Sequence, residues 1–306
     1  MSATINFDGL VVGLDIPAAV GMAEADICTP ALIIDLDAFE NNVRRMKDYL
    51  QSSGMRLRAH AKTHKSADIA LYQIEQGGAC GICCQKVAEA EALVAGGVQD
   101  VLVSNQVVDA NKIDRLAAMA TKARVGVCVD DAGNVADLAA AALAHDVVLD
   151  CLVEIDCGAG RCGVEHGKPA VDLARHIDAT EGLRFAGIQA YQGAAQHIHD
   201  YAARGASIDV AIQQVEVTIA MLQDAGLECD IIGGAGTGSY YFEGGSGVYN
   251  ELQCGSYVFM DADYQRVRNH SGGSISEFQN SLFILTSVMS HVKADKAVCD
   301  AGLKAQ

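Results

Sequence analysis

Tryptophan is absent from this 306-residue chain, proline occurs three times, and aromatic residues make up 5% of it. The core must therefore be aliphatic, and the turns must come from glycine, of which there are 31. No apolar run is long enough to span a bilayer. Positive charge is scarce: 22 Lys and Arg stand against 39 Asp and Glu, a net charge of −17. That argues against nucleic acid and anionic membranes as partners, because both repel an acidic surface. A small anionic substrate stays compatible, since a local basic pocket fits inside an acidic protein. Residues 1–27 are acidic and lack a basic n-region, so they do not read as a targeting peptide. Eleven cysteines, an odd number with no secretory signal ahead of them, predict reduced thiols and a cytoplasmic protein.

Half of the residues are hydrophobic, enough for one large domain or one plus part of a second. Beyond about residue 30, short β-branched runs alternate with amphipathic stripes. The first helix carries Phe39, Val43, Met46 and Leu50 on one face. Asp37 is placed to cap it, with Glu40 three residues on, and Gly54 ends it. Strands are expected at 57–61, 79–83, 100–104, 125–129, 149–155, 184–190, 230–233 and 251–254. Helices are expected at 66–76, 86–95, 110–121, 134–145, 170–179 and 200–225. The count of eight favours an α/β fold closed into a (β/α)8 barrel over a doubly wound open sheet. Residues 29–35 read as a strand ahead of the first helix, and 282–292 and 296–300 as strands after the barrel. The expected organisation is an N-terminal segment (1–35) contributing to a β-rich domain, a barrel (36–265) and the start of a C-terminal β domain (266–306). An unfinished sheet leaves open edges, so that second domain is expected to be truncated.

The run His60-Ala-Lys62-Thr-His-Lys65 carries the chemistry first. Strand alternation puts Arg58, His60 and Lys62 on one face and Leu57, Ala59 and Ala61 on the other. A lysine facing the inside of a barrel is desolvated, loses its proton more easily and can form a Schiff base with a carbonyl cofactor. The alternative is a solvated lysine at a strand end. Barrel active sites lie at the carboxyl ends of the strands, and phosphate sites favour the last two loops. Here those loops are Gly233-Gly-Ala-Gly-Thr-Gly238, with a hydroxyl at Thr237, and Gly255-Ser256. Arg161, on the glycine-rich loop after 149–155, suits a phenolate, carboxylate or phosphate. Tyr191 is placed to stack on or hydrogen-bond a cofactor ring, and His197 is a candidate base, with a structural histidine as the alternative. Cys80 and Cys83 have a CxxC spacing on a predicted strand with no second pair, and read as core cysteines. His197 and His199 lack a completing ligand and do not read as a metal site.

Together, His60-Ala-Lys62-Thr-His-Lys, Cys84-Gln85-Lys-Val-Ala-Glu-Ala, Glu154-Ile-Asp-Cys-Gly-Ala-Gly-Arg-Cys-Gly-Val164, Gln189-Ala-Tyr-Gln-Gly and the 233–238 loop resemble the fold-type III pyridoxal-phosphate enzymes of the D-threonine aldolase group. Tyr249-Asn-Glu-Leu-Gln-Cys-Gly-Ser-Tyr-Val-Phe-Met-Asp-Ala-Asp-Tyr264 is most like the members that cleave 3-hydroxyaspartate. The resemblance covers essentially the whole chain, in order. It implies an alanine-racemase-like barrel with a C-terminal β domain, and a homodimer. It implies pyridoxal 5'-phosphate on Lys62, with Arg161 near its phenolic oxygen and Tyr191 near its ring. Gln85, Thr237, Gly238, Gly255, Ser256 and Tyr264 would cradle the ring or phosphate, and His197 would be the base for the β-hydroxyl. It implies a divalent metal, Mg or Mn, whose family ligands lie beyond Gln306, so none is named here. The implied reaction is retro-aldol cleavage of a D-configured 3-hydroxy amino acid, 3-hydroxyaspartate giving glycine and glyoxylate. D-threonine cleavage, dehydration of a D-hydroxyamino acid, racemisation, and cofactor binding without turnover (or an inactive fragment) are the alternatives.

Overall fold

Eight short strands close on themselves in a computed structural model that describes residue 9 and residues 18–303. The chain begins, within that range, with β1 (Ala31–Ile34) and α1 (Leu36–Ser53). The barrel strands are β2 (Arg56–His60), β3 (Gly81–Cys84), β4 (Asp100–Val103), β5 (Arg124–Val129), β6 (Leu149–Glu154), β7 (Leu183–Ala190), β8 (Ile231–Gly234) and β9 (Glu251–Leu252). All eight pairings are parallel, and β2 pairs with β9 to complete the ring. Parallel neighbours need crossovers. These are α2 (Ala67–Glu75), α3 (Val87–Ala95), α4 (Ala110–Met119), α5 (Ala132–Ala144), α6 (Lys168–Asp178), α7 (Tyr201–Asp224) and α8 (Tyr240–Gly245). The closed barrel replaces the open-sheet alternative, as the strand count predicts.

Helix starts follow short polar side chains. Ser66, Asp109, Asp131 and Asp200 each accept the amide three residues on, at the heads of α2, α4, α5 and α7. The first helix departs from expectation: Asp35, not Asp37, is the cap, its carboxylate taking the Ala38 amide at 3.0 Å. Asp37 already lies in the first turn.

The barrel interior contains an apolar cluster of Cys83, Leu102, Cys128, Leu152, Ala186 and Ile231. Small and branched side chains fit there where aromatics would not. Cys83 is thus core, as read from the sequence, whereas Cys80 stands just ahead of β3, exposed, with its Sγ 3.5 Å from a Glu251 carboxylate oxygen. Its polar neighbour explains the departure. At the amino ends of the strands the interior is charged. Arg58 donates to Glu251 at 2.8 Å and also to Asp100, while Arg124 and Arg184 flank Asp150 at 2.6 Å each.

The chain divides into two compact units, one of residues up to Phe39 and from Asn280 onward, the other Glu40–Gln279. In the first, β1 pairs antiparallel with β10 (Leu282–Leu285), and β11 (Val288–Lys293) pairs antiparallel with β12 (Lys296–Cys299). The single strand expected over 282–292 is broken because Asp300 Oδ1 accepts both the Ser287 amide and the Thr286 hydroxyl, at 2.9 and 2.7 Å. Most of the 1–27 stretch, and the last three residues, lie outside the described residues.

The Arg58 and Glu251 side chains are 4% and 1% exposed. Truncating one leaves the other buried without its partner. Arg58→Ala should destabilise the barrel by about 3–5 kcal/mol in urea unfolding. A loss below about 1 kcal/mol would contradict a buried Arg58–Glu251 pair.

Candidate active site

A cavity of about 500 Å³ of empty space, part of it open to solvent, sits at the carboxyl ends of the strands. It collects most of the residues singled out from the sequence: Lys62, Gln85, Arg161, Tyr191, Thr237, Gly255, Ser256 and Tyr264 all line it. His60, Ser104, Gln189 and Gln253 line it as well and were not among the expected site residues. Each stands at or just past the end of a barrel strand, the one signal that identifies them without a structure. The lining holds two basic side chains, Lys62 and Arg161, and no carboxylate.

Lys62 differs from expectation in one respect. Strand β2 stops at His60, and Lys62 sits in the 3-10 turn Ala61–Thr63 that follows. His60 makes this turn. Its ring nitrogen Nδ1 accepts the Lys62 backbone amide at 3.3 Å, and Nε2 lies 3.2 Å from Ser104 Oγ. Ser104 in turn donates to the Cys84 carbonyl at 3.3 Å. With Nδ1 accepting and the Ser104 proton engaged, the His60 proton belongs on Nε2. Burial, then the nearby Lys62, His64 and Arg161, push His60 down to about 3, so its imidazole stays neutral. The Lys62 amine is 5.7 Å from the Tyr191 ring centroid. Lys62 is accessible from the mouth, but the protein packed around it and the charge of Arg161 still lower its affinity for a proton. Its neutral, nucleophilic fraction rises accordingly.

Arg161 is carried by a loop shaped by carboxylates. Asp156 Oδ1 accepts the amides of Gly158 and Gly160 at 3.0 Å, and Asp130 accepts that of Gly163 at 2.9 Å. The guanidinium reaches 3.5 Å from Glu154, which is buried and also accepts from Gln106 at 2.7 Å. Burial raises the Glu154 proton affinity, against the pull of Gln106 and Arg161. Gln189 and Gln253 form a reciprocal amide pair at 2.7 Å. Tyr191 is pushed up to about 12, by burial first, and remains a neutral phenol.

Two expected residues fall elsewhere. Gly238 is not in the lining, and its amide donates to Gln196 Oε1 at 3.0 Å. His197 also lies outside the lining, with a side chain 77% exposed and Nδ1 3.5 Å from Asp263. The short helical segment Gly193–His197 turns it outward.

The cavity fits a phosphorylated aromatic aldehyde. It offers an amine of lowered proton affinity, a phenol ring beside it, and a buried Thr237 hydroxyl that has no partner within the protein. A buried orphan hydroxyl is costly unless something accepts or donates there.

Residues 34–263 match the model of the alanine racemase N-terminal domain. The chain belongs to that family. Within the alanine racemase-like fold it is 55% identical to 3-hydroxy-D-aspartate aldolase of Paracoccus denitrificans (strain Pd 1222), over the whole chain and 80% of that protein. It is 43% identical to D-threonine aldolase of Arthrobacter sp, over 96% of the chain and 76% of that protein. Its structure superposes on the crystal structure of D-threonine aldolase from Filomicrobium marinum with a TM-score of 0.89 and 51% identity, covering 92% of this chain and 75% of that one. The alanine racemase-like barrel is a pyridoxal-phosphate-dependent fold, which agrees with the cavity's amine, ring and hydroxyl.

The Lys62 turn leaves no room for a side chain at Gly255. A Cβ there would lie 2.6 Å from the His60 carbonyl oxygen and 2.9 Å from Thr63 Oγ1. Gly255→Ala should displace the turn and weaken pyridoxal-phosphate uptake by roughly tenfold or more, read by absorbance titration, with the circular dichroism unchanged. Unaltered uptake would separate this strand end from the site.

Proposed function

We propose that this chain cleaves a D-configured 3-hydroxy amino acid by a retro-aldol reaction, with 3-hydroxyaspartate giving glycine and glyoxylate. It is a pyridoxal-phosphate-dependent carbon–carbon lyase. The observation that carries the reading is an amine of lowered proton affinity, Lys62, at the mouth of a barrel 55% identical to a 3-hydroxy-D-aspartate aldolase. Bound pyridoxal phosphate supplies the sink for the electron pair released when the Cα–Cβ bond breaks.

The chain's own residues do the rest. Lys62 is the proposed covalent anchor, and the His60 imidazole sets its turn. Tyr191 offers the ring face next to that amine. Arg161, backed by Glu154, brings positive charge to the phenolic oxygen or a substrate carboxylate. Thr237, Gly255, Ser256, Tyr264 and Gln85 are the proposed phosphate and ring contacts. Gly238 supports that loop through Gln196 instead of facing the cavity. The base for the β-hydroxyl proposed from the sequence is His197, whose Nδ1 lies 3.5 Å from Asp263 outside the lining.

No group of three or more His, Cys, Asp or Glu able to hold a metal occurs among the described residues. They do not fit the divalent Mg or Mn implied by the resemblance, and the steps above are derived without it. All eleven cysteines are free, which supports a reducing, cytoplasmic setting. No described helix is long and apolar enough to cross a membrane. A homodimer, implied by the family resemblance, completes the proposal.

Product analysis with D-3-hydroxyaspartate and pyridoxal phosphate, with and without Mg²⁺ or Mn²⁺, tests the reading. Glycine and glyoxylate in equal amounts are expected, with D-threonine turned over more slowly. Oxaloacetate and ammonia would overturn it in favour of a dehydratase.

A further inference from the structure

Behind the glycine loop runs a line of buried polar side chains that the reaction above does not use. Gln196 is its bridge. Its Oε1 accepts the Gly238 amide at 3.0 Å, and its Nε2 donates to Ser239 Oγ at 2.7 Å. Ser239 Oγ also receives the Gly236 amide at 3.4 Å and donates to Glu243 Oε1 at 2.9 Å. With one proton given and two received, the hydroxyl is fully engaged. Ser239 and Glu243 are 0% and 1% exposed, and Gln196 is 5% exposed. The glycines make the arrangement possible, since a Cβ on Gly236 would lie 2.5 Å from Gln196 Oε1. The second carboxyl oxygen, Glu243 Oε2, is buried with no partner. The two amides held in this way belong to the residues on either side of Thr237, a cavity-lining residue whose buried hydroxyl has no partner.

We propose that Glu243 is a positioning residue, which through Ser239 and Gln196 fixes the Gly236 and Gly238 amides and so aims the Thr237 segment at the cofactor's phosphate. The inference rests on the reading that the 233–238 loop receives that phosphate. Glu243 acts as a neutral acid. Burial pushes it up to about 8, against the opposing pull of its own amide and of Ser239. Tyr49 from α1, Cys157, Tyr191, Tyr249 and Cys254 all feel its charge. None of them is a cation, and all hold their protons to higher pH than Glu243 does. Arg204, on the α7 helix that packs against α8, bonds instead to Tyr241 and to the carbonyls of Ile198, His199 and Arg268. A carboxylate formed at Glu243 therefore has no counter-charge, and it would stand behind the loop facing a phosphate of the same sign. The sign follows: the phosphate contact is intact below about pH 8 and weakens as pH rises through that value.

The test compares pyridoxal phosphate with pyridoxal, which has the same aldehyde and no phosphate. Dissociation constants are measured by equilibrium dialysis against the full chain near pH 7 and near pH 9, the two sides of the Glu243 titration. The ratio of the two constants is compared between wild type and variants at each pH, so that the hemiacetal formed by free pyridoxal, a property of the ligand alone, cancels and the difference reports the phosphate contact. Wild type is expected to prefer the phosphorylated ligand near pH 7 and to lose about tenfold of that preference near pH 9. Glu243→Gln should keep the preference at both pH values, and Glu243→Ala should lack it at both. If Glu243→Ala fails to fold, Glu243→Gln against wild type decides. A wild-type pH profile in Glu243→Gln overturns the role of Glu243 and leaves the loop reading standing. No preference for the phosphorylated ligand in wild type overturns the loop reading, and this inference with it.

Discussion

The neutral imidazole of His60 holding the backbone of Lys62 is the contact on which the rest of the site depends. His60 ends β2, accepts the Lys62 amide and ties back to Ser104 at the end of β4. Two strand ends, with β3 between them in the barrel, thus set one reactive side chain. A protonated His60 would offer no acceptor for that amide and would add a like charge beside Lys62, so burial of the ring serves both geometry and chemistry.

The barrel separates its charges by end. At the amino ends Arg58, Arg124 and Arg184 are matched by Glu251, Asp100 and Asp150, a charge network buried at Arg58 and Glu251 and half-exposed at Arg124 and Arg184. At the carboxyl ends the cavity keeps two basic side chains and sets its carboxylates one layer back, at Glu154 and Glu243. Burial raises the proton affinity of both acids, and Glu154 is partnered by Gln106 and Arg161. An acidic chain of net charge −17 in this way offers a locally positive pocket to an anionic cofactor or substrate.

The barrel was legible in the sequence because its strands are short, apolar and regularly spaced, and the cavity because strand ends are where such barrels converge. What was not legible came from contacts distant in sequence or from single turns. Lys62 leaves the strand for a turn because of an imidazole–amide bond that alternation does not register. Asp35 wins the cap over Asp37 by two residues of phase. Gly238 looked like an anion ligand, yet Gln196, forty-two residues earlier, takes its amide. His197 shares a motif with Tyr191, but a short 3-10 segment turns the two side chains apart. Glu243 carried no signal, since a lone glutamate after a glycine loop reads as surface until its burial is seen.

The most direct test of the account is to load the protein with pyridoxal phosphate, reduce it with borohydride, and map the modified peptide by mass spectrometry. Reduction fixes the lysine–cofactor linkage as a stable secondary amine. The account predicts a single phosphopyridoxyl group on the peptide that contains Lys62. A label on another lysine, with Lys62 unmodified, would contradict it.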